Sequence, residues 1–456
     1  MTSAPDSLPD AILAPKPRAT WREGMAVYLQ PRVLIVLLLG FSSGLPLALS
    51  GSTLLVWMRE SGVDLKTIGL FALVGTPYTL KFIWAPLVDA LHVPFFTRRF
   101  GRRRGWLVFS QLLLIAAILL LALTDPAHSP LFVALGALLV AAMSSTQDIV
   151  VDAFRVESLP ESEQAAGMAS YVAAYRVGML VSTAGALFLV SAFESTGIAR
   201  SSAWMGGYVA MAAMVLIGTV TALAATEPAQ SARAEQVTRA DTAFRRVTQA
   251  AFGALSEFLA RNDAWAALIF VVLFKFTDAF SGTMTAPFVI DLGFTRNDYA
   301  AIVKGVGLAA TLIGGFAGGF VARRYSLATS LWIGGVLQAV ANLSFSWLAI
   351  VGVNQWALAF AITAENFTSA IGTVIFVAYL SALCQNPLHT ATQYALLTAL
   401  AAVGRTYLSS GAGFVASATG WPIFFAICVL VAVPSLILLL WLQRRGHFET
   451  LGTVRI

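Results

Sequence analysis

Apolar residues fall in twelve long blocks: 33–57, 67–90, 106–124, 130–154, 164–191, 204–225, 264–290, 298–321, 327–350, 355–381, 389–416 and 421–442. Each is close to the ~20 residues a helix needs to cross the hydrocarbon core of a bilayer. Most of the polar gaps are short. One is long, polar and arginine-containing: it runs from Thr226 to Asp263 and divides the spans six and six. The pattern predicts an all-α membrane protein with 12 transmembrane helices in two halves. The expected order is a tail (1–32), a six-helix bundle (33–225), a linker (226–263), a second bundle (264–443) and a tail (444–456). Residues 1–20, rich in proline, alanine and polar residues, read as a disordered stretch. The first apolar block is too long for a signal-peptide core.

Composition agrees. The chain is 58% hydrophobic and only 11% charged, against about 25% charged in soluble domains. The net charge of +6 is small and unevenly placed. One face would carry Lys16, Arg18, Arg22, Arg32, Arg98, Arg99, Arg102–Arg104, the linker arginines, Arg323, Arg324, Arg444, Arg445 and Arg455. The other has Arg59, Lys66, Arg200 and Arg296. Basic loops stay in the cytoplasm, so both termini and the linker are expected there. The asymmetry is one of topology; the expected partner is a lipid bilayer, not nucleic acid. Cys384 and Cys428 lie in or beside apolar blocks and imply no disulfide framework. His92, His128, His389 and His447 are scattered through loops without metal-ligand spacing, and an enzyme is not expected.

Ionisable residues inside a span are costly and usually functional. They are Lys81 (span 2), Asp148 and Asp152 (span 4), Arg176 (span 5), Lys275 and Asp278 (span 7), Lys304 (span 8), Glu365 (span 10) and Arg405 (span 11). Asp148, Asp152 and Arg155 share one helical face. Lys275 and Asp278, at i and i+3, form either a mutually neutralising pair or a switchable one. Glu365, followed by Asn366, has no basic neighbour in sequence and is a candidate proton carrier. Five deep cations against four acids leave a small cationic bias, which favours an anionic or zwitterionic substrate. Tyr78, Lys81 and Trp84 recur every three residues, and Tyr171 and Tyr175 lie one turn apart; packing is the favoured reading of these aromatics. Gly314, Gly315, Gly318 and Gly319 form two overlapping GxxxG patterns, read as close helix packing.

Twelve spans in two sixes around a long inside loop resemble the major facilitator fold. Spans 3, 6, 9 and 12 are peripheral in that fold, and here they carry no deep charge. The loop after span 2 also resembles that family: Asp89 is followed, after an insertion, by Gly101-Arg102-Arg103-Arg104-Gly105. The resemblance implies a cytoplasmic gate in which Asp89 pairs with Arg155, with Arg102, Arg103 and Asp152 in its network. Further segments are Gly40-Phe41-Ser42-Ser43-Gly44-Leu45-Pro46, Pro77-Tyr78-Thr79-Leu80-Lys81-Phe82, Trp84-Ala85-Pro86-Leu87-Val88-Asp89, Thr146-Gln147-Asp148, Val151-Asp152-Ala153-Phe154-Arg155, Lys275 to Asp278, Glu365-Asn366-Phe367 and Ala391-Thr392-Gln393-Tyr394. As a set they resemble the AmpG-type anhydromuropeptide permeases, a branch of that superfamily. Acetyl-CoA carriers share the Gln-Asp-x-x-x-Asp pattern of span 4, so a facilitator for another bulky anion is the alternative.

The resemblance implies import of disaccharide anhydromuropeptides across the bacterial inner membrane, driven by the proton gradient. It also implies cell-wall recycling and, where a β-lactamase is inducible, its induction. No cofactor is expected, and a monomer is. The expected substrate site comprises Gln147, Asp148, Arg176, Lys81, Tyr78, Tyr171, Lys275, Asn366 and Arg405. The expected proton-coupling acids are Asp148, Asp278 and Glu365.

Overall fold

The computed structural model describes residues 26–228, 259, 263–383 and 390–451. Most of the expected tails and linker, with His389 and Cys384, lies outside the described residues. Among the described residues, ten helices are long and apolar enough to cross a membrane. The other two expected spans are built from shorter helices laid end to end. In chain order the spans are α1 (Pro31–Leu49 and Ser52–Glu60), α2 (five pieces from Leu65–Leu70 to Ala85–Ala90), α3 (Arg102–Ala122), α4 (Pro130–Ser158), α5 (Glu161–Leu180, Val181–Gly185, Ala186–Ser195), α6 (Arg200–Ala224), α7 (Ala264–Asp291), α8 (Arg296–Asp298, Tyr299–Val306, Gly307–Arg324), α9 (Leu327–Val351), α10 (Gln355–Leu383), α11 (Thr390–Tyr407, Leu408–Gly411, Ala412–Thr419) and α12 (Trp421–Arg444).

The breaks have local causes. Pro77 and Pro86 open two of the α2 pieces, where a missing N–H costs nothing. α1 breaks at Ser50–Gly51, after Pro46. Other starts are capped: Asp64 accepts from the Lys66 and Thr67 amides, and Thr295 and Asp298 form a capping box at α8. The turns at Val181–Gly185 in α5 and at Tyr299–Val306 in α8 are π-helical.

Small residues set the packing within each half. A Cβ at Gly44 would collide with the Tyr175 carbonyl oxygen, and one at Gly178 with that of Phe41, so α1 and α5 touch backbone to backbone. Gly314 and Gly318 of α8 do the same against Phe367 and Ile371 of α10, whereas Gly315 and Gly319 face open space. One of the two GxxxG patterns is therefore a packing seam.

The halves meet tightly at the end where α1 finishes and α2 begins. There Gly69 of α2 crosses Gly413 of α11, and a Cβ at Gly69 would lie 2.8 Å from the Gly413 nitrogen. Nearer the middle, the Thr79 and Thr406 hydroxyls are 3.0 Å apart. Among the described residues, every ion pair between the halves lies at this end. The opposite end carries the arginine-rich loop.

Candidate functional site

The deep charges form two clusters, one per half. In the N-terminal half Asp148 is buried, 7% exposed. It accepts a hydrogen bond from the Ser43 hydroxyl of α1. The Tyr171 hydroxyl donates to that same serine at 3.4 Å, and the Tyr171 and Tyr175 rings lie 6.0 Å apart. Lys81 lies within electrostatic reach of Asp148 and Asp152 without contacting either among the described residues. Trp84 donates to Thr146, 3.2 Å away. Asp148 therefore sits among hydroxyls with a cation at a distance.

The C-terminal cluster is wired differently. The Lys275 ammonium lies 2.9 Å from Asp278 and also donates to Thr373 of α10 at 3.0 Å. Ser369 of α10 donates to the other Asp278 oxygen at 2.8 Å. The expected i, i+3 pair is thus formed and is tied to α10 from both ends. Glu365 accepts from the Asn366 amide at 2.8 Å, and the Asn366 carbonyl oxygen accepts from Thr311 of α8 at 3.2 Å. Lys275, Asp278 and Lys304 are within electrostatic reach of Glu365, yet no cation touches it among the described residues. Lys304 stands over the Tyr299 ring at 5.4 Å.

Other expected residues are placed apart. Gln147 is fully buried, and neither end of its amide has a partner among the described residues. Arg176 and Arg405 are exposed. Arg405 is within electrostatic reach of Tyr175 in the other half, whereas Arg176 has no acid partner among the described residues.

At the arginine-rich end the Asp89 side chain lies outside the described residues, so its expected pairing with Arg155 goes unseen. Arg155 comes no closer than 3.9 Å to Asp152. Arg102 and Arg103 both bind Glu157 near the end of α4, the closer at 2.6 Å. Glu227, just after α6, accepts from the Arg103 and Arg104 amides at 2.8 and 3.0 Å, capping the start of α3 with a carboxylate. Arg104 returns the favour through the Ala222 carbonyl at 3.0 Å. Glu157 and Glu227 escaped the sequence reading because each is an ordinary acid at a helix end.

The packed end holds a lock that the sequence reading assigned to topology alone. Arg296 of α8 is 6% exposed and forks onto Glu60 of α1 at 2.6 and 2.9 Å and Glu194 of α5 at 2.8 and 3.2 Å. Its guanidinium also stands 5.4 Å from the Trp204 ring. Arg59 pairs with Asp291 of α7 in the opposite sense. The available signal was that on a face with few basic residues, Arg59-Glu60, Glu194, Asp291 and Arg296 all sit at span ends.

Twelve helices in two halves, packed against each other at one end and holding acids between α1, α4, α7 and α10, have the architecture of a membrane carrier. The sequence profile of the Major Facilitator Superfamily matches residues 36–408. The anhydromuropeptide permease of Escherichia coli K12 is 40% identical over 417 residues, covering 91% of this chain and 80% of that protein. A putative AmpG 4 transporter of Rickettsia felis is 34% identical, covering 91% and 97%. Among solved structures, a POT family transporter superposes with a TM-score of 0.66 at 12% identity, covering 91% and 96%. A D-xylose–proton symporter superposes at 0.63 and 13%, covering 90% and 97%. The chain belongs to the major facilitator superfamily, in its branch of AmpG-type anhydromuropeptide permeases. It is a transporter, not an enzyme.

Proposed function

We propose that this protein imports anhydromuropeptides from periplasm to cytoplasm by proton symport, serving cell-wall recycling and, where present, β-lactamase induction. The observation that carries the substrate is the 40% identity, across 91% of the chain, to the Escherichia coli permease of that name. The distribution of Lys and Arg supports placing both termini in the cytoplasm. With that orientation the packed end is periplasmic and the described state faces inward.

The coupling reading rests on the wiring of the acids. Burying a carboxylate without a contacting cation costs several kcal/mol, and taking up a proton removes that cost. Asp148, which is buried, meets that description, and Glu365, which is half-buried, meets it in part; Asp278 has Lys275. We therefore assign the proton to Asp148 or Glu365. Lys81, Lys275 and Arg405 supply the cationic wall for the peptide carboxylates.

Uptake of labelled anhydromuropeptide into right-side-out vesicles tests the reading. Uptake is expected to rise as the outside is acidified, and to collapse with an uncoupler and in Asp148→Asn. Uptake indifferent to both would refute the proton coupling.

A further inference from the structure

The insertion between α2 and α3 is held rigidly. The Val93 amide donates to the Thr97 hydroxyl, and the Thr97 amide donates back to the Val93 carbonyl, each at 3.0 Å. The turn they close leads into a short helix, Phe96–Phe100. That helix starts against the backbone of α3: a Cβ at Gly105 would lie 2.9 Å from the Phe96 carbonyl carbon. The Phe96 ring meets the Phe109 ring of α3 at 5.6 Å, and the Trp106 indole donates to the Leu91 carbonyl at 2.9 Å.

This seat fixes which way the insertion faces. Phe109 shares a helical face with Leu112, Leu113 and Leu120, and all three leucines are exposed. In a chain that spans a membrane, such an apolar stripe meets lipid. The insertion therefore sits where the lipid-facing stripe of α3 ends, at the depth of the headgroups. At its tip Phe95 is 70% exposed and has a φ of 68°, a left-handed conformation that a bulky residue rarely adopts. Backbone held against its preference by a rigid surround points to a use for the side chain it displays.

The arginines divide the same way. Arg102 and Arg103 bind Glu157, and Arg104 binds carbonyl oxygens of α6. Arg98 and Arg99 are exposed, and neither has an acid partner among the described residues; Arg99 stands 5.8 Å from the Phe100 ring. An exposed phenyl beside two uncommitted guanidiniums, at headgroup depth, matches one class of molecule. A phospholipid offers acyl chains to the ring and a phosphate to the guanidinium fork, and a net negative headgroup suits the unbalanced charge.

We propose that the segment Leu91–Phe100 docks an anionic phospholipid of the cytoplasmic leaflet, with Phe95 among the acyl chains and Arg98 and Arg99 on the phosphate. The choice of leaflet rests on the orientation proposed above; the site does not. The Arg102–Arg103 clamp onto α4 follows within a few residues, so a lipid held here also fastens the start of α3 to the membrane surface.

The test titrates the purified protein, in a non-ionic detergent, with phosphatidylglycerol, with phosphatidylcholine of the same chains and with inorganic phosphate. Native mass spectrometry reads the tightest-bound lipid. Phosphatidylglycerol is expected to bind at least tenfold more tightly than phosphatidylcholine, and inorganic phosphate should not displace it. An arginine near an anionic surface is worth roughly a fivefold gain in affinity. Arg98→Gln with Arg99→Gln should therefore weaken phosphatidylglycerol roughly tenfold to thirtyfold and leave phosphatidylcholine unchanged, whereas Phe95→Ala should weaken both lipids. Arg323→Gln with Arg324→Gln, an exposed pair at the end of α8, should change little. Equal losses from the two arginine pairs would reduce the effect to general surface charge and overturn the site, as would an unchanged affinity in the Arg98, Arg99 variant. Displacement by inorganic phosphate would overturn the lipid in favour of a free anion. An Arg99→Cys protein labelled from outside intact cells by an impermeant maleimide would overturn the leaflet and the proposed orientation together, with the titration still deciding the site.

Discussion

The two halves solve the same problem, keeping an acid inside the membrane, in different ways. In the N-terminal half Asp148 is held by the Ser43 hydroxyl, and Lys81 stands off at a distance. In the C-terminal half Asp278 is bound directly by Lys275, and Ser369 and Thr373 fasten that pair to α10. Among the described residues, Glu365, also in the second half, accepts only from the Asn366 side-chain amide and so resembles Asp148 more than its neighbour. A carboxylate fixed by a cation is a structural element whose charge is already balanced. One held by neutral donors can exchange its charge for a proton without breaking an ion pair. On the proposed proton coupling, the difference favours Asp148 and Glu365 as carriers of the proton over Asp278, whose charge Lys275 already balances.

The largest expected effect tests that sorting directly. Asp148→Asn and Glu365→Gln should each reduce gradient-driven accumulation by roughly tenfold to a hundredfold, the usual span of a coupling free energy. Exchange of labelled for unlabelled substrate, with no gradient, should persist in at least one of them. Asp278→Asn should impair accumulation and exchange together, because it disturbs the binding wall. If all three variants lose both activities in equal measure, the halves do not differ in the way their contacts indicate.

Stability should show the next largest difference. Lys275→Met leaves the half-buried Asp278 without its cation, which costs on the order of 2 kcal/mol, between the values for an exposed and a buried pair. Adding Asp278→Asn should return much of that loss. Lys81→Met breaks no contact and should cost about 1 kcal/mol or less, in the range of a distant or exposed pair. Thermal unfolding in detergent of these three variants against the wild type decides the matter. A Lys81→Met protein as unstable as Lys275→Met would mean that Lys81 binds its acids more closely than the geometry shows.

How much of this was legible in the sequence depends on the scale of the signal. Span count and the division into halves follow from apolar block length, a property summed over about twenty residues. The Lys275–Asp278 pair was legible because i, i+3 spacing places partners on one helix face. The Ser43–Asp148 bond was not, since it joins residues 105 apart on different helices. The Arg296 lock was hidden for the same reason, and because its members look like span-end topology signals. Gln147 shows a further limit. Its position beside Asp148 pointed to the substrate, yet adjacent helix residues are turned about 100° from each other, and its side chain is buried in the bundle.

Backbone packing gives a smaller contrast between the halves. In the first half α1 meets α5 at Gly44, where a Cβ would strike the Tyr175 carbonyl. At the corresponding crossing in the second half, α7 with α11, a Cβ at Gly404 lies 3.1 Å from the Val272 carbonyl and 2.8 Å from a Val272 side-chain methyl. A side chain can give way where a backbone cannot. Gly44→Ala should cost about 1–3 kcal/mol, the range for overpacking, and Gly404→Ala less. Equal melting losses would show that α1 and α5 can part as readily as α7 and α11.

The smallest expected effect concerns the hydroxyls themselves. Ser43 and Ser369 each donate to a deep carboxylate, and each bond to a charged acceptor is worth roughly 1.5–3 kcal/mol. The consequences should differ, because Asp278 keeps Lys275 when Ser369→Ala removes its second donor, whereas Ser43→Ala takes from Asp148 the one donor that contacts it among the described residues. If Asp148 is charged when Ser43 leaves, its cost must be met by protonation. Ser43→Ala should therefore move the pH profile of uptake toward alkaline values, with the acid holding its proton at higher pH. Ser369→Ala should leave the profile in place and lower only the maximum rate. The sign is diagnostic: an acid shift in Ser43→Ala would mean that the serine stabilises the protonated carboxyl, and Asp148 would then be a donor in this state and not the acceptor its geometry implies.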